Sequence, residues 1–168
     1  MPPFESRKED AAEGQSFTDC LTAALRYLSY RPRTIREVER RLEGRFAAPV
    51  VEKTVDYLKD LKYLDDASFC AQWIGSRERR RPRGSRALRQ ELRRLGVEQQ
   101  LVDEALEGLD ETASACNAGR KQAAKLVARG STPLEFREKL TPFLQRRGFS
   151  YGTTREATNL LWSELQED

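Results

Sequence analysis

The stretch FCAQWIGSRERRRPRGSRALRQELRRLGV, residues 69–97, decides how the chain is to be read. Phe69, Trp73 and Ile74 fall on one face of a helix, and Leu88, Leu92 and Leu95 fall on one face of another. Between them Pro82-Arg83-Gly84 has the composition of a turn. Arg86, Arg89 and Arg93 follow at intervals of three and four on the side opposite the leucines. From Trp73 to Leu95 there are nine arginines, no lysine, and only Glu78 and Glu91 to oppose them. Guanidinium groups bind phosphate or carboxylate in a planar, two-pronged way that ammonium does not. This composition leaves few internal ion pairs, so the segment is expected to face an acidic or phosphate-bearing partner.

The same helix–turn–helix pattern repeats along the chain. A shift of 50 residues superposes Cys20 on Cys70, Pro32 on Pro82, Arg33 on Arg83, Val38 on Leu88 and Leu42 on Leu92. A further shift of 52 lays Leu140 on Leu88, Leu144 on Leu92, and Gly148-Phe149 on Gly96-Val97. Each unit reads as three helices, expected at 19–30, 34–43 and 49–62; 67–80, 85–95 and 98–108; and 111–129, 133–147 and 153–166. Nothing alternates with the period of a strand, so the fold class is all-α, three tandem three-helix repeats. The boundaries expected are a disordered tail at 1–16 and repeats at 17–65, 66–110 and 111–168. The tail is polar, with Pro2, Pro3 and Gly14 and few apolar anchors. Capping boxes, in which a Thr oxygen and a Glu three residues later satisfy free amides, are expected at Thr34/Glu37, Thr132/Glu135 and Thr153/Glu156. Pro133 suits a first helical position, and Ala115, Ala123 and Ala124 suggest close helix approach.

Composition narrows the function. At 168 residues, with 34% charged and 38% hydrophobic residues, the chain suits one domain or a few small units sharing a core. The net charge of +3 hides segregation: Gly96 to Glu111 carries six acids, Glu98, Asp103, Glu104, Glu107, Asp110 and Glu111, and no base. There is no histidine, which removes the commonest general base and a frequent metal ligand. Asp65 and Asp66 stand where a helix N-cap belongs. No phosphate loop of the GxxxxGK type occurs. Cys20, Cys70 and Cys116 form no CxxC pair and sit among apolar residues, as small hydrophobes do. Trp73 and Trp162 read as core. No signal-peptide core or membrane-length apolar run is visible, so a cytoplasmic protein without membrane contact is expected. The reading is a binding protein, not an enzyme, with no cofactor and no metal, and a monomer. Its partner-binding residues are Arg77, Arg79, Arg80, Arg81, Arg83, Arg86, Arg89 and Arg93.

Phe69, Trp73, Ser76, Arg77, Pro82, Arg83, Gly84, Leu88, Gln90, Glu91 and Leu92 resemble the central signature of the RecX family. Tyr63, Leu64, Asp65 and Asp66 resemble the segment that precedes it there, and the resemblance extends from about Leu21 to Leu165. It implies three tandem three-helix repeats in an elongated, curved rod. It also implies a modulator of the RecA recombinase in recombinational DNA repair and the SOS response. Such a protein mostly inhibits, binding along the groove of the RecA filament on DNA and damping filament extension, ATP hydrolysis and strand exchange. The family supplies no catalytic residue. Carried over, the resemblance puts Arg77, Arg83, Arg86, Arg89 and Arg93 on the filament-facing surface, against acidic RecA residues or DNA phosphates. One departure is Thr153, flanked by Gly152 and Thr154, where the repeat position corresponds to Leu101. The alternative reading is a direct binder of single-stranded or duplex DNA that contacts phosphates through the same arginines.

Overall fold

A computed structural model describes residues 4–167 of the chain. Among these residues there are nine helices and no strand: α1 (Phe4–Leu28), α2 (Ile35–Glu43), α3 (Ala48–Asp60), α4 (Asp66–Arg80), α5 (Ser85–Arg94), α6 (Gln99–Leu106), α7 (Glu111–Ala128), α8 (Pro133–Arg146) and α9 (Tyr151–Glu167). The order is the expected one. α1 begins at Phe4, inside the stretch expected to be a tail, of which residues 1–3 lie outside the described part. Glu, Arg, Lys and Ala dominate after Phe4, and these are good helix formers that nothing interrupts before Gly14. The chain divides into two compact units, the first running through Phe69 and including Leu95–Glu98, the second holding the rest.

In the first unit α1, α2 and α3 pack on one another around Cys20, Ala24, Val38, Leu42, Val51, Val55, Leu58 and Leu64. The α2 capping box forms as expected: Thr34 Oγ1 accepts from the Glu37 amide at 3.1 Å, and the Thr34 amide donates to Glu37 at 3.2 Å. The hydroxyl of Thr34, itself fully buried, donates onward to the Leu95 carbonyl at 2.6 Å. α3 stops where Lys62 takes a left-handed conformation, φ 60°, and the amides of Tyr63 and Leu64 both turn back to the Leu58 carbonyl.

The two aspartates of the Tyr63–Asp66 segment do different jobs. Asp65 caps α4, its carboxylate accepting from the Ser68 amide at 3.0 Å and the Ser68 hydroxyl at 3.1 Å. Those bonds hold its pKa below the usual aspartate value. Asp66, only 8% exposed, reaches instead to α2 and accepts from the Ile35 amide at 2.9 Å. Burial raises its pKa, and the Ile35 bond offsets this only in part.

In the second unit the core gathers Ala115, Ala123, Leu126, Phe136, Leu140, Leu144, Phe149, Ala157 and Leu161 from α7–α9, while α5 packs on α6 through buried Leu88, Leu92 and Val102. Ala115, Gly119 and Ala123 form the small-residue face of α7; a Cβ at Gly119 would already stand 3.0 Å from Leu161. Ala124, expected to share this packing, is exposed. Trp162 packs edge-on against Phe136, centroids 4.9 Å apart, as its core reading requires. The Thr132/Glu135 box forms and Pro133 opens α8, whose interior Pro142 lies on the exposed side.

The expected Thr153/Glu156 box does not form. Ser150 caps α9 three residues earlier, its Oγ accepting from the Thr153 amide at 3.1 Å. Thr153 and Glu156 then lie inside the helix and bond α7, Thr153 to Glu111 and Glu156 to Thr112. The two loops that precede α5 and α9 meet without side chains between them. The Gly84 amide donates to the Arg147 carbonyl at 3.0 Å, and Gly148 has φ +89°. A Cβ at Gly84 would collide with the Gly148 carbonyl, and one at Gly148 with Ala87.

Two outcomes test this packing. Gly84→Ala is expected to lower the unfolding free energy by about 1–3 kcal/mol in urea denaturation, the usual cost of overpacking without room to relax. Asp66 has a raised folded-state pKa, so its contribution is fully present below the unfolded value and is lost as pH rises through the folded one. Asp66→Asn keeps an acceptor for Ile35 and removes the charge. Its stability relative to the parent chain therefore improves as pH rises from about 4 to neutrality, and a difference independent of pH would refute this.

Candidate partner-binding surface

The arginines do not form one surface. Their arrangement begins with Glu91, which α5 holds one turn from buried Leu88 and beside buried Leu92. Trp73 Nε1 and Arg77 Nε, both on α4, each donate to Glu91 Oε2 at 2.8 Å, and Arg83 Nη1 meets Oε1 at 2.9 Å. The Arg77 guanidinium also lies 4.8 Å from the Trp73 ring centre. Glu91 thus ties α4, α5 and the turn between them, and one carboxylate absorbs two of the nine arginines. The core reading of Trp73 is corrected: Phe69 and Ile74 are buried, but Trp73 is half-buried because its indole N–H turns to Glu91.

Arg89 is also engaged, its Nε 2.9 Å from Asp103 on α6. Both partners are about 40% exposed, so solvent screens much of this pair. The expectation of few internal ion pairs therefore fails for Arg77, Arg83 and Arg89, because Glu91 serves two of them and the acidic stretch supplies Asp103. Glu78 pairs with none of the arginines and accepts from Ser114 Oγ on α7.

The remaining arginines are presented outward. Arg80, Arg81, Arg86, Arg93 and Arg94 are exposed, and so is Arg79, whose Nη1 lies beside Gly75. Among the described residues no carboxylate lies within ion-pair distance of these six. Arg86 and Arg89 line a groove of about 690 Å³ with Glu111, Gln145 and Tyr151, which is 67% exposed. Arg81 and Arg83 open onto a different cavity, shared with Phe143, Arg146 and Arg147. The last two were not among the sequence candidates. Glu91 enters the sequence reading as an opposing charge and as part of the family-like signature, and nothing local to it signals three donors.

Sequence and structure comparisons bear on this arrangement. The description "RecX, first three-helix domain" matches residues 20–58, and "RecX, second three-helix domain" matches residues 65–106, which include the whole arginine segment. A regulatory protein RecX of Chlorobium phaeobacteroides (strain BS1) is 34% identical over 140 residues, covering 83% of this chain and 91% of its own length. The chain belongs to the RecX family. A regulatory protein RecX of Mycobacterium sp. (strain KMS) is also 34% identical, over 155 residues, covering 89% of this chain and 80% of the relative. The crystal structure of RecX from Lactobacillus salivarius superposes with a TM-score of 0.79 over 88% of this chain and 97% of that one. At 22% identity it shows that the all-helical fold is shared. No helix among the described residues is long and apolar enough to cross a membrane.

The role of Glu91 is directly measurable. Glu91→Ala is expected to cost about 1–2 kcal/mol of stability, allowing for the partial exposure of Arg83. A double-mutant cycle should couple Glu91 to Arg77 and not to Arg93; equal coupling to both would count against the hub.

Proposed function

We propose that the chain is a non-enzymatic regulator of the RecA recombinase, binding RecA filaments on DNA and mostly restraining their extension, ATP hydrolysis and strand exchange. It would act as a cytoplasmic monomer without cofactor, in recombinational repair and the SOS response. Membership of the RecX family supports the class of partner. The observation that carries the surface is α5: Leu88 and Leu92 are fully buried on one side, while Arg86 and Arg93 project from the other without an ion-pair partner among the described residues. Arg89 lies between them in the same row and exchanges a screened bond to Asp103 for a partner carboxylate at little cost. A row of guanidiniums on a rigid helix suits a partner that presents acidic groups in a fixed array, because little side-chain order has to be gained on binding. Arg79 and Arg80 on the last turn of α4, with Arg81 just after it, extend the same positive field and steer encounter more than they fix register. Arg77 and Arg83 contribute indirectly, by holding α4 and the turn against α5.

The test uses the outward pair, since reversing Arg83 or Arg89 would also break contacts inside the protein. Arg86→Glu with Arg93→Glu is expected to raise the concentration needed to inhibit RecA-dependent ATP hydrolysis by about tenfold or more, with helical content unchanged by circular dichroism. A folded double variant that inhibits at the parent concentration overturns the reading.

A further inference from the structure

The cavity between the α4–α5 turn and the end of α8 has a composition that the α5 surface does not explain. Arg81, Arg83, Arg146 and Arg147 line about 320 Å³ together with Phe143. The Gly84–Gly148 approach creates it: with the Gly84 amide on the Arg147 carbonyl, two pairs of arginines far apart in sequence are brought around one space. Arg147 is held in place, its guanidinium 4.6 Å from the centre of the Phe143 ring. No carboxylate lines the space. Arg83 shares Glu91 with Arg77, so that carboxylate is already divided. Among the described residues, Arg81, Arg146 and Arg147 have no ion-pair partner. Burial first, and then the charges of Arg81 and Arg83, lower the Arg147 pKa, so the folded chain bears an electrostatic cost that an anion would relieve.

The ligand must therefore be anionic, and three features select among anions. Several guanidinium forks around one space suit an oxyanion that accepts from many directions, as a phosphate does, better than the single plane of a carboxylate. Arg81 and Arg146 are exposed at the rim, so the anion can belong to a longer chain that leaves the cavity. Beyond Arg81, Arg79 and Arg80 continue the positive charge along α4, where a polyanion would find further contacts and a free phosphate would not.

We propose that Arg81, Arg83, Arg146 and Arg147 form a phosphate-binding site that seats a backbone phosphate of a nucleic-acid strand, with Phe143 as its apolar wall. This goes beyond the RecA reading and does not rest on it, since Arg146 and Arg147 have no part in the α5 surface.

The test contains no RecA, so its failure leaves the α5 proposal untouched. A short fluorescein-labelled single-stranded oligonucleotide is titrated with the full chain and followed by fluorescence anisotropy across a salt series. Arg146→Gln with Arg147→Gln is expected to weaken binding about tenfold. The slope of log affinity against log salt should become shallower by about 0.7 for each phosphate that the variant no longer neutralises. Arg146→Gln alone, at an exposed side chain, should give part of both effects and guards against misfolding by the double variant. Unchanged affinity and slope in folded variants overturn the site. The parent chain gives a second reading that needs no variant. Displacement of the oligonucleotide by inorganic pyrophosphate at equal charge concentration would assign a small-phosphate site instead of a strand. Equal displacement by polyglutamate would assign a protein carboxylate. Either overturns the proposal, and failure of both competitors supports it.

Discussion

Both units are closed at the same kind of place, the carbonyl that follows a repeat's second helix and has no acceptor role left within that helix. After α5 that carbonyl belongs to Leu95, and the hydroxyl of Thr34 bonds it. After α8 it belongs to Arg147, and the amide of Gly84 bonds it. A left-handed glycine follows in each case, Gly96 at φ +88° and Gly148 at φ +89°. The shift of 50 residues that superposes the first two repeats lays Thr34 on Gly84, and the shift of 52 lays Leu95-Gly96 on Arg147-Gly148. One interaction is thus made twice with different chemistry. Thr34 uses a side chain and caps α2 with the same oxygen; Gly84 has only its backbone to offer and must come closer to make the bond. That closer approach excludes a Cβ on either side, and it sets Arg81 and Arg83 against Arg146 and Arg147.

A crowded arginine segment is stable here because its few acids are used more than once. Glu91 takes three donors and is only 16% exposed, so its bonds are less screened than those of a surface pair. Its position one turn from Leu88 and next to Leu92 makes the α5 leucines and the ion pairs mutually dependent. Moving Leu92 out of the core would carry Glu91 away from Trp73 and Arg77. Burial and charge therefore specify the same rotation of α5, and that rotation points Arg86 and Arg93 outward.

The helices were legible because their causes are local. Apolar period, two capping boxes and Pro133 placed most ends within a few residues, and the repeat shift aligned the elements. What the sequence left open depends on contacts between distant segments. Asp66 looks like a second cap for α4 until the Ile35 amide is beside it. Trp73 has core spacing, and its half-buried indole N–H meets the Glu91 carboxylate from α5, a partner that its own helix does not reveal. Thr153 and Glu156 match a capping box, but Ser150 competes from three residues earlier and Glu111 and Thr112 offer partners inside the unit. Arg146 and Arg147 carry no signal in their own neighbourhood. The 52-residue shift does hold one, since it lays Arg146 and Gly148 on Arg94 and Gly96 and so marks the end of α8 as equivalent to the end of the arginine segment.

The acidic stretch after Gly96 completes the electrostatic design. Asp110 caps α7 by accepting from the Ala113 amide at 2.9 Å, and Asp103 meets Arg89. Glu111 accepts from the Ser85 amide at the start of α5 and from Thr153 on α9. A carboxylate at that amide complements the positive end of the α5 dipole, so α5 is anchored at its first turn by an acid from the next repeat. These acids lower the net charge of the chain while covering few of its positive groups: they bind amides, hydroxyls and one arginine, Arg89, through a solvent-screened pair. Net charge is consequently a poor guide to what this surface offers. The field that a partner meets around α4, α5 and the end of α8 is set by Arg79, Arg80, Arg81, Arg86, Arg93, Arg94, Arg146 and Arg147, none of which has an ion-pair partner among the described residues.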